Sequence, residues 1–267
     1  MLKKWISVLF LVLMTSSVLA ADRLRLATTT STDNSGLLAV LNPAFEDKFG
    51  VKVDVIAVGT GKALRLGENG DVDVVLVHAP KAELEYVKSG HFIDRTAVMH
   101  NDFVIVGPAS DPANIASARN AAGAFNRIAS AKADFVSRGD DSGTHKKEIT
   151  LWDNANLPVP SASWYVAAGQ GMGAVLKIAD EKQAYALADR GTQIAYADKM
   201  DLKVLFEGDE VLFNPYHVMA VNPTRHSVKY ELAKRYIKFI TGAEGQKIIA
   251  DFRLRDQTLF HPDMLDQ

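Results

Sequence analysis

Apolar residues along this chain recur in two alternating rhythms. Leu24 to Thr28 reads as a strand, and Leu37, Leu38, Leu41, Phe45 and Phe49 then fall at helical spacing before Gly50 stops the run. Val51 to Val58 alternates as a strand, Lys62 to Glu68 predicts a short helix, and Val72 to Val77 has the apolar run of a buried strand. Lys81 to Ser89 is helical again and ends at Gly90. Alternation of this kind predicts an α/β architecture with largely parallel strands.

Two β-rich runs close on a proline. Phe103-Val104-Ile105-Val106 precedes Gly107-Pro108, and Tyr216 to Val221 precedes Asn222-Pro223, where a ladder cannot continue. Two core strands of one sheet would give the same pattern. Two crossings between one pair of lobes would instead insert the middle of the chain into a domain built from both ends. The expected division is residues 21–106 and 215–267 for lobe I and 107–214 for lobe II. Ser227 is expected to cap a helix carrying Leu232, Tyr236, Phe239 and Ile240 on one face, with Gly242 as its end and a second helix over Ala243 to Phe252. The alanine-rich stretch from Ala116 to Ala133 predicts one helix, softened by Gly123.

The first twenty residues stand apart. Lys3 and Lys4 precede an apolar run from Trp5 to Leu13 and a small-residue exit ending Val18-Leu19-Ala20. That is the pattern of a secretory signal peptide, with cleavage expected after Ala20. The apolar run falls well short of the ~20 residues of a membrane span. The chain has no cysteine, which excludes disulfides, thiolate metal sites and a lipid-modified N-terminal cysteine. Export without a lipid anchor points to the periplasm of a double-membraned bacterium, with simple secretion as the alternative. The formal charge is −2, from 30 Lys+Arg against 32 Asp+Glu, and becomes more negative once Lys3 and Lys4 are removed. A nucleic-acid binder carries a basic excess or stripe, and this chain carries neither.

The candidate chemistry lies where strands give way to helices. Thr28-Thr29-Thr30-Ser31 follows the first strand, at the position where open α/β sheets bind ligands. One hydroxyl would suffice for a helix cap, and here there are four. Val58-Gly59-Thr60-Gly61-Lys62 also joins a strand to a helix. It is not a P-loop, because Ile56 and Ala63 occupy positions where that motif needs glycine and Ser/Thr. Ser137-Arg138-Gly139-Asp140-Asp141-Ser142-Gly143-Thr144-His145 combines a planar, permanently charged guanidinium with hydroxyl and N–H donors at a helix start. Together these segments describe a clamp for a small, multiply charged oxyanion. Gly169-Gln170-Gly171-Met172-Gly173 lacks the spacing of a dinucleotide fingerprint and reads as a close-packing turn or a further set of donors. Ser142, His145 and Asp140 are too close in sequence for the usual triad, and the seven histidines show no paired metal-ligand spacing.

These motifs, TTTS after the first strand, VGTGKAL, NDFVIVGP, SRGDDSGTHKKE, AAGQGMG and NPYHVMAVNP, occur in order over nearly the whole of the chain beyond residue 20. In them the chain resembles the periplasmic tungstate-binding proteins of Tup-type ABC transporters. The resemblance implies a type II periplasmic binding protein fold: two lobes, each a mixed sheet flanked by helices, joined by two hinge crossovers around a cleft. It implies a non-enzymatic monomer without a cofactor or a bound metal cation. Such a protein captures tungstate, and secondarily molybdate, as an oxyanion and delivers it to a membrane permease driven by a cytoplasmic ATPase. By motif, Thr29, Thr30, Ser31 and Thr60 present donors from lobe I, while Arg138, Ser142, Gly143 and Thr144 act from lobe II. Phosphate-binding proteins use a similar Arg-x-Asp-x-Ser-Gly-Thr segment. Phosphate near neutral pH often carries a proton and needs an acceptor, which Asp140 could be; tungstate carries none and suits donors alone. An exported phosphate- or sulfate-ester hydrolase around Ser142 and His145 is the reading from another class.

Overall fold

The computed structural model describes residues 22–265. The expected signal peptide, residues 1–20, lies outside the described residues. The first stretch runs β1 (Asp22–Thr29), α1 (Thr30–Asn34), α2 (Leu38–Phe49), β2 (Val51–Val58), α3 (Thr60–Glu68), β3 (Val74–Val77), α4 (Pro80–Lys88) and β4 (Phe92–Gly107). The middle adds α5 (Ala121–Ala131), β5 (Phe135–Ser137), α6 (Gly143–Asn154), β6 (Tyr165–Ala167), α7 (Met172–Lys182), β7 (Ala186–Asp189), α8 (Arg190–Tyr196) and β8 (Lys203–Phe206). The chain closes with β9 (Phe213–Val221), α9 (Tyr230–Ile240), α10 (Ala243–Asp251), β10 (Arg253–Leu254), β11 (Gln257–Thr258) and β12 (His261–Pro262). Among the described residues no helix is long and apolar enough to cross a membrane.

The main sheet has the order β12-β4-β9-β3-β1-β2. β1 runs parallel to both β2 and β3, with Thr29 opposite Val58 and Thr28 opposite Leu76, so the carboxyl ends of all three strands lie at one edge. Both faces of this sheet are covered. Leu24 and Leu26 pack with Leu37, Leu41, Phe45 and Tyr236; Ala27, Val75 and Val77 pack on the other face with Ala63, Leu64 and Phe92. Burial on both faces is why β3 reads as an unbroken apolar run. Asp73, just before it, is fully buried. Its carboxylate accepts from the Arg25 side chain at 2.9 and 3.2 Å, from the Arg25 N–H at 2.8 Å and from the Lys229 N–H at 3.0 Å.

β4 is one continuous strand with two sets of neighbours. Phe92 to Asp102 pairs antiparallel with β9, and Phe103 to Gly107 pairs with β7 and β8. The exchange of partners therefore falls inside the strand rather than at Gly107-Pro108. Beyond it lies a second core in which Phe125, Phe135, Leu151 and Trp152 pack together, the Phe125 and Trp152 rings meeting edge-on at 4.5 Å. β5 and β6 run parallel there. Arg190 braces the crossing, donating from Nε to Asp102 at 2.8 Å and from Nη2 to Glu207 at 2.6 Å. Lys147 of α6 donates to the carbonyls of Val211 and Phe213, at 2.9 and 3.1 Å, where the chain returns into β9.

Three expected elements differ. Ser227 does not cap α9: that helix begins at Tyr230 after Lys229, whose N–H is fixed by Asp73. The alanine-rich stretch is not one helix. Asp111 accepts the N–H groups of Ile115 and Ala116 and sets a separate 3₁₀ turn, and the Asn120 side chain caps α5 through the Gly123 N–H at 2.8 Å. α3 begins at Thr60 rather than Lys62, because Gly59 is already extended as its N-cap.

Candidate functional site

At the carboxyl edge of the parallel strands, the hydroxyl run divides into different tasks. Thr28 is buried, and its Oγ1 donates to the Leu76 carbonyl at 2.8 Å, tying β1 to β3. Thr29 leaves the strand with extended backbone and caps α1, its Oγ1 accepting from the Thr32 N–H at 3.2 Å. Thr30 and Ser31 are exposed. Thr60 opens α3 beside them, as the Thr29–Val58 register requires. No side chain caps α3, and the N–H groups of Thr60 and Gly61 have no partner among the described residues. First-turn N–H groups of this kind suit an anion.

Across the crossing, β5 ends at the buried Ser137 and Arg138 follows it. The loop is pinned against the end of β6. Gly169 donates its N–H to the Arg138 carbonyl at 2.8 Å, and Ala168 donates to that of Ser137 at 2.9 Å. Gly139 sits at φ +60°, and a Cβ there would lie 2.8 Å from that of Ala167, so only glycine fits. Ser142, extended, caps α6 through Oγ to the His145 N–H at 3.3 Å. Gly143 is exposed with open space around it, Thr144 is buried, and neither N–H has a partner among the described residues.

Asp140 faces its own segment. Its Oδ2 accepts from Arg138 Nε at 3.1 Å and also from Nη2, and its Oδ1 accepts the Ser142 N–H at 3.2 Å. Burial opposes its ionisation, but the hydrogen bonds of Ser142 and Arg138 outweigh burial and hold its carboxyl below the usual carboxylate range. Below this turn Glu148 is buried, accepting from Trp152 Nε1 at 3.1 Å and the Tyr165 hydroxyl at 2.7 Å, and burial pushes its carboxyl up. His145 spends Nδ1 on the Asp141 N–H at 3.0 Å, so Ser142, His145 and Asp140 form no nucleophilic relay. Gly173 is a packing glycine: a Cβ there would lie 2.2 Å from the Tyr196 hydroxyl.

The structure thus gathers Thr29, Ser31 and the Thr60 turn on one side, and Arg138, Ser142, Gly143 and Thr144 on the other. Among the described residues no hydrogen bond or ion pair joins the two groups. Sequence reasoning missed His78, whose Nε2 lies 3.2 Å from Thr29 Oγ1 and 3.4 Å from Ser31 Oγ. It also missed Asn214, whose Oδ1 meets His78 Nδ1 at 3.1 Å. His78 follows the apolar run of β3, so the strand-end rule that singled out Thr29 would have found it too. Asn214 opens the NPYHVMAVNP motif, which reads as part of the crossing and not of the site. No group of three or more His, Cys, Asp or Glu among the described residues could hold a metal ion.

Donor-rich turns at strand ends on both sides of a double crossing, in a mixed sheet covered by helices, define a two-lobed solute-binding protein. In agreement, the family model described as a PBP superfamily domain matches residues 17–244. The tungstate-binding protein TupA of Peptoclostridium acidaminophilum is 46% identical over 230 residues, covering 85% of this chain and 80% of its own length. The solved structure of the tungstate-binding protein TupA from Desulfovibrio alaskensis G20 superposes with a TM-score of 0.86 at 46% identity, covering 91% of this chain and all of that one (100%). A structure described as the tungstate ABC transporter from Geobacter sulfurreducens gives a TM-score of 0.76 at 57% identity, over 86% of this chain and 98% of that one. The chain belongs to the TupA family of periplasmic binding proteins.

Proposed function

We propose that this protein is the substrate-binding component of an ABC transporter, capturing tungstate, and secondarily molybdate, for import. It binds without turnover and passes the anion to a membrane permease with a cytoplasmic ATPase. It works as a monomer in the periplasm after loss of residues 1–20. The moving bodies are the two expected lobes, residues 21–106 with 215–267 and 107–214, closing across the β4 and β9 crossings, with Phe103 to Val106 carried by the second body through β7 and β8. Thr29, Thr30, Ser31 and Thr60 form the anion-binding turns of the first body, Thr29 by capping α1 and holding the turn in place, and Arg138, Ser142, Gly143 and Thr144 act from the second.

The observation that carries the choice of ligand is the engagement of Asp140. Both of its oxygens are taken by Arg138 and the Ser142 N–H, which leaves hydroxyls, N–H groups and a guanidinium to meet the ligand. A proton-free dianion is satisfied by donors alone, whereas a protonated phosphate oxygen needs an acceptor. The names of the TupA relatives point the same way.

The test is isothermal titration of ligand-free protein, residues 21–267, with tungstate, molybdate, phosphate and sulfate in turn. One-to-one tungstate binding without phosphate heat is expected. Phosphate binding without tungstate would overturn the reading and require Asp140 to turn toward the ligand.

A further inference from the structure

Behind the hydroxyl turn lies a chain of hydrogen bonds that leads from Asn214 through His78 to Thr29. The Asn214 amide is oriented by its nitrogen, which donates to Asn101 Oδ1 at 2.8 Å and faces the Tyr216 hydroxyl at 3.3 Å. Its Oδ1 therefore faces His78 Nδ1, and a carbonyl oxygen can only accept. His78 must carry its proton on Nδ1. The other nitrogen, Nε2, is then a bare lone pair facing Thr29.

Counting protons around Thr29 extends the chain. Its oxygen accepts the Thr32 N–H at 3.2 Å and lies 2.7 Å from the buried Thr32 hydroxyl. With its own proton given to His78, Thr29 accepts twice and donates once, which is its full capacity. Ser31 Oγ, 3.0 Å away and exposed, then has no acceptor left on Thr29, and the single Nε2 lone pair, 3.4 Å from it, is taken by the closer Thr29 hydroxyl.

We propose that His78 is a positioning residue for the oxyanion site: its Nε2 lone pair draws in the Thr29 hydroxyl proton, so that Ser31 is left to donate its own into the cleft. Asn214 and Tyr216 stand on β9 and Asn101 on β4, the two strands of the crossing. The donor direction at the ligand turn is thereby tied to the hinge. The Tyr216 ring lies against the imidazole at 4.6 Å between centroids. Burial disfavours the charged ring despite the carboxylates of Glu83 and Asp189 nearby, in keeping with a neutral tautomer.

The inference rests on the tungstate reading, and its test separates the two. His78→Gln keeps an acceptor near the place of Nε2, while His78→Leu removes it. Tungstate titration is expected to give about tenfold or greater weakening in His78→Leu, the scale of a lost hydrogen bond to a charged group, and a change of less than about threefold in His78→Gln. A purely structural role would lower the melting temperature of both variants and leave the Gln variant no better a binder than Leu. That result, or wild-type affinity in His78→Leu, would overturn the proposal. The tautomer is read independently in the ligand-free wild type from the imidazole nitrogen chemical shifts. A bare Nε2 and a protonated Nδ1 are expected, and a proton on Nε2 would overturn the proposal even if tungstate binds. If wild type binds no tungstate, the ligand reading fails while the nitrogen shifts still decide the ring.

Discussion

Arg138 and Asp140 hold each other from either side of Gly139, Nε to Oδ2 at 3.1 Å, while the second carboxylate oxygen takes the Ser142 N–H. The pair keeps the guanidinium aligned with the start of α6, so the fork and the helix N–H groups can meet one anion together. Arg138→Ala is expected to weaken tungstate binding by about 100-fold or more, the scale of a charge-assisted bidentate contact. Arg138→Lys should fall between, since it keeps the charge and loses the fork. Titration calorimetry on both variants checks the order.

Asp140→Asn removes a charge without changing shape. Because the carboxylate faces Arg138 and Ser142, tungstate affinity should move by no more than about threefold to fivefold, within the range of an indirect effect. A phosphate site using Asp140 as its acceptor would lose its ligand in the same variant. Parallel titrations with the two anions distinguish these outcomes.

Thr28 and Thr29 are adjacent but differ in role. Thr28→Val breaks the bond to the Leu76 carbonyl and should cost about 1 kcal/mol of stability, or somewhat more with the carbonyl left unpaired, without altering affinity. Thr29→Val removes the cap of α1 and the partner of His78, and should lower affinity as well. Urea unfolding and ligand titration on the same preparations separate the two effects.

His78 gives a pH signature. Burial pushes its imidazole below the ordinary value of about 6.5, so the unfolded chain takes up a proton before the native one does. Stability should therefore fall as pH drops below ~6.5, down to the native-state pKa, and recover as pH rises again. The carboxylates of Asp73 and Asp140, both held low in the fold, lose their contribution only nearer pH 4 and below. Urea midpoints at pH 5.5 and 7.5 should differ more in wild type than in His78→Gln.

Much of the fold was legible in local rhythm. The run at β3, the amphipathic spacing of α2 and the strand at Phe103 to Val106 are signals of burial, which tertiary structure reinforces. Starts of helices were less legible where a distant group sets them. Lys229 begins α9 because Asp73 reaches it, and Ser227, the better cap by type, is passed over. The candidate site divides in the same way. Thr29, Arg138 and Ser142 stand in motifs whose neighbours in sequence are their partners in space. His78 gains its meaning only when β9 brings Asn214 beside β3, and no spacing along the chain encodes that meeting.

The place of β9 has a consequence for assembly. It lies between β3 and β4 in the sheet, yet follows both by more than a hundred residues. A chain emerging from its N-terminus thus holds β1 to β3 with an open edge until residue 213 arrives. The strands and helices from Phe103 to Leu212, by contrast, are contiguous and can condense first. The open edge is a ready template for another chain, so folding should be slowest, and most prone to misassociation, in the interval before β9 inserts. In that interval neither the His78–Asn214 contact nor the second crossing exists. Competence to bind would then appear last, in a single step with closure of the sheet.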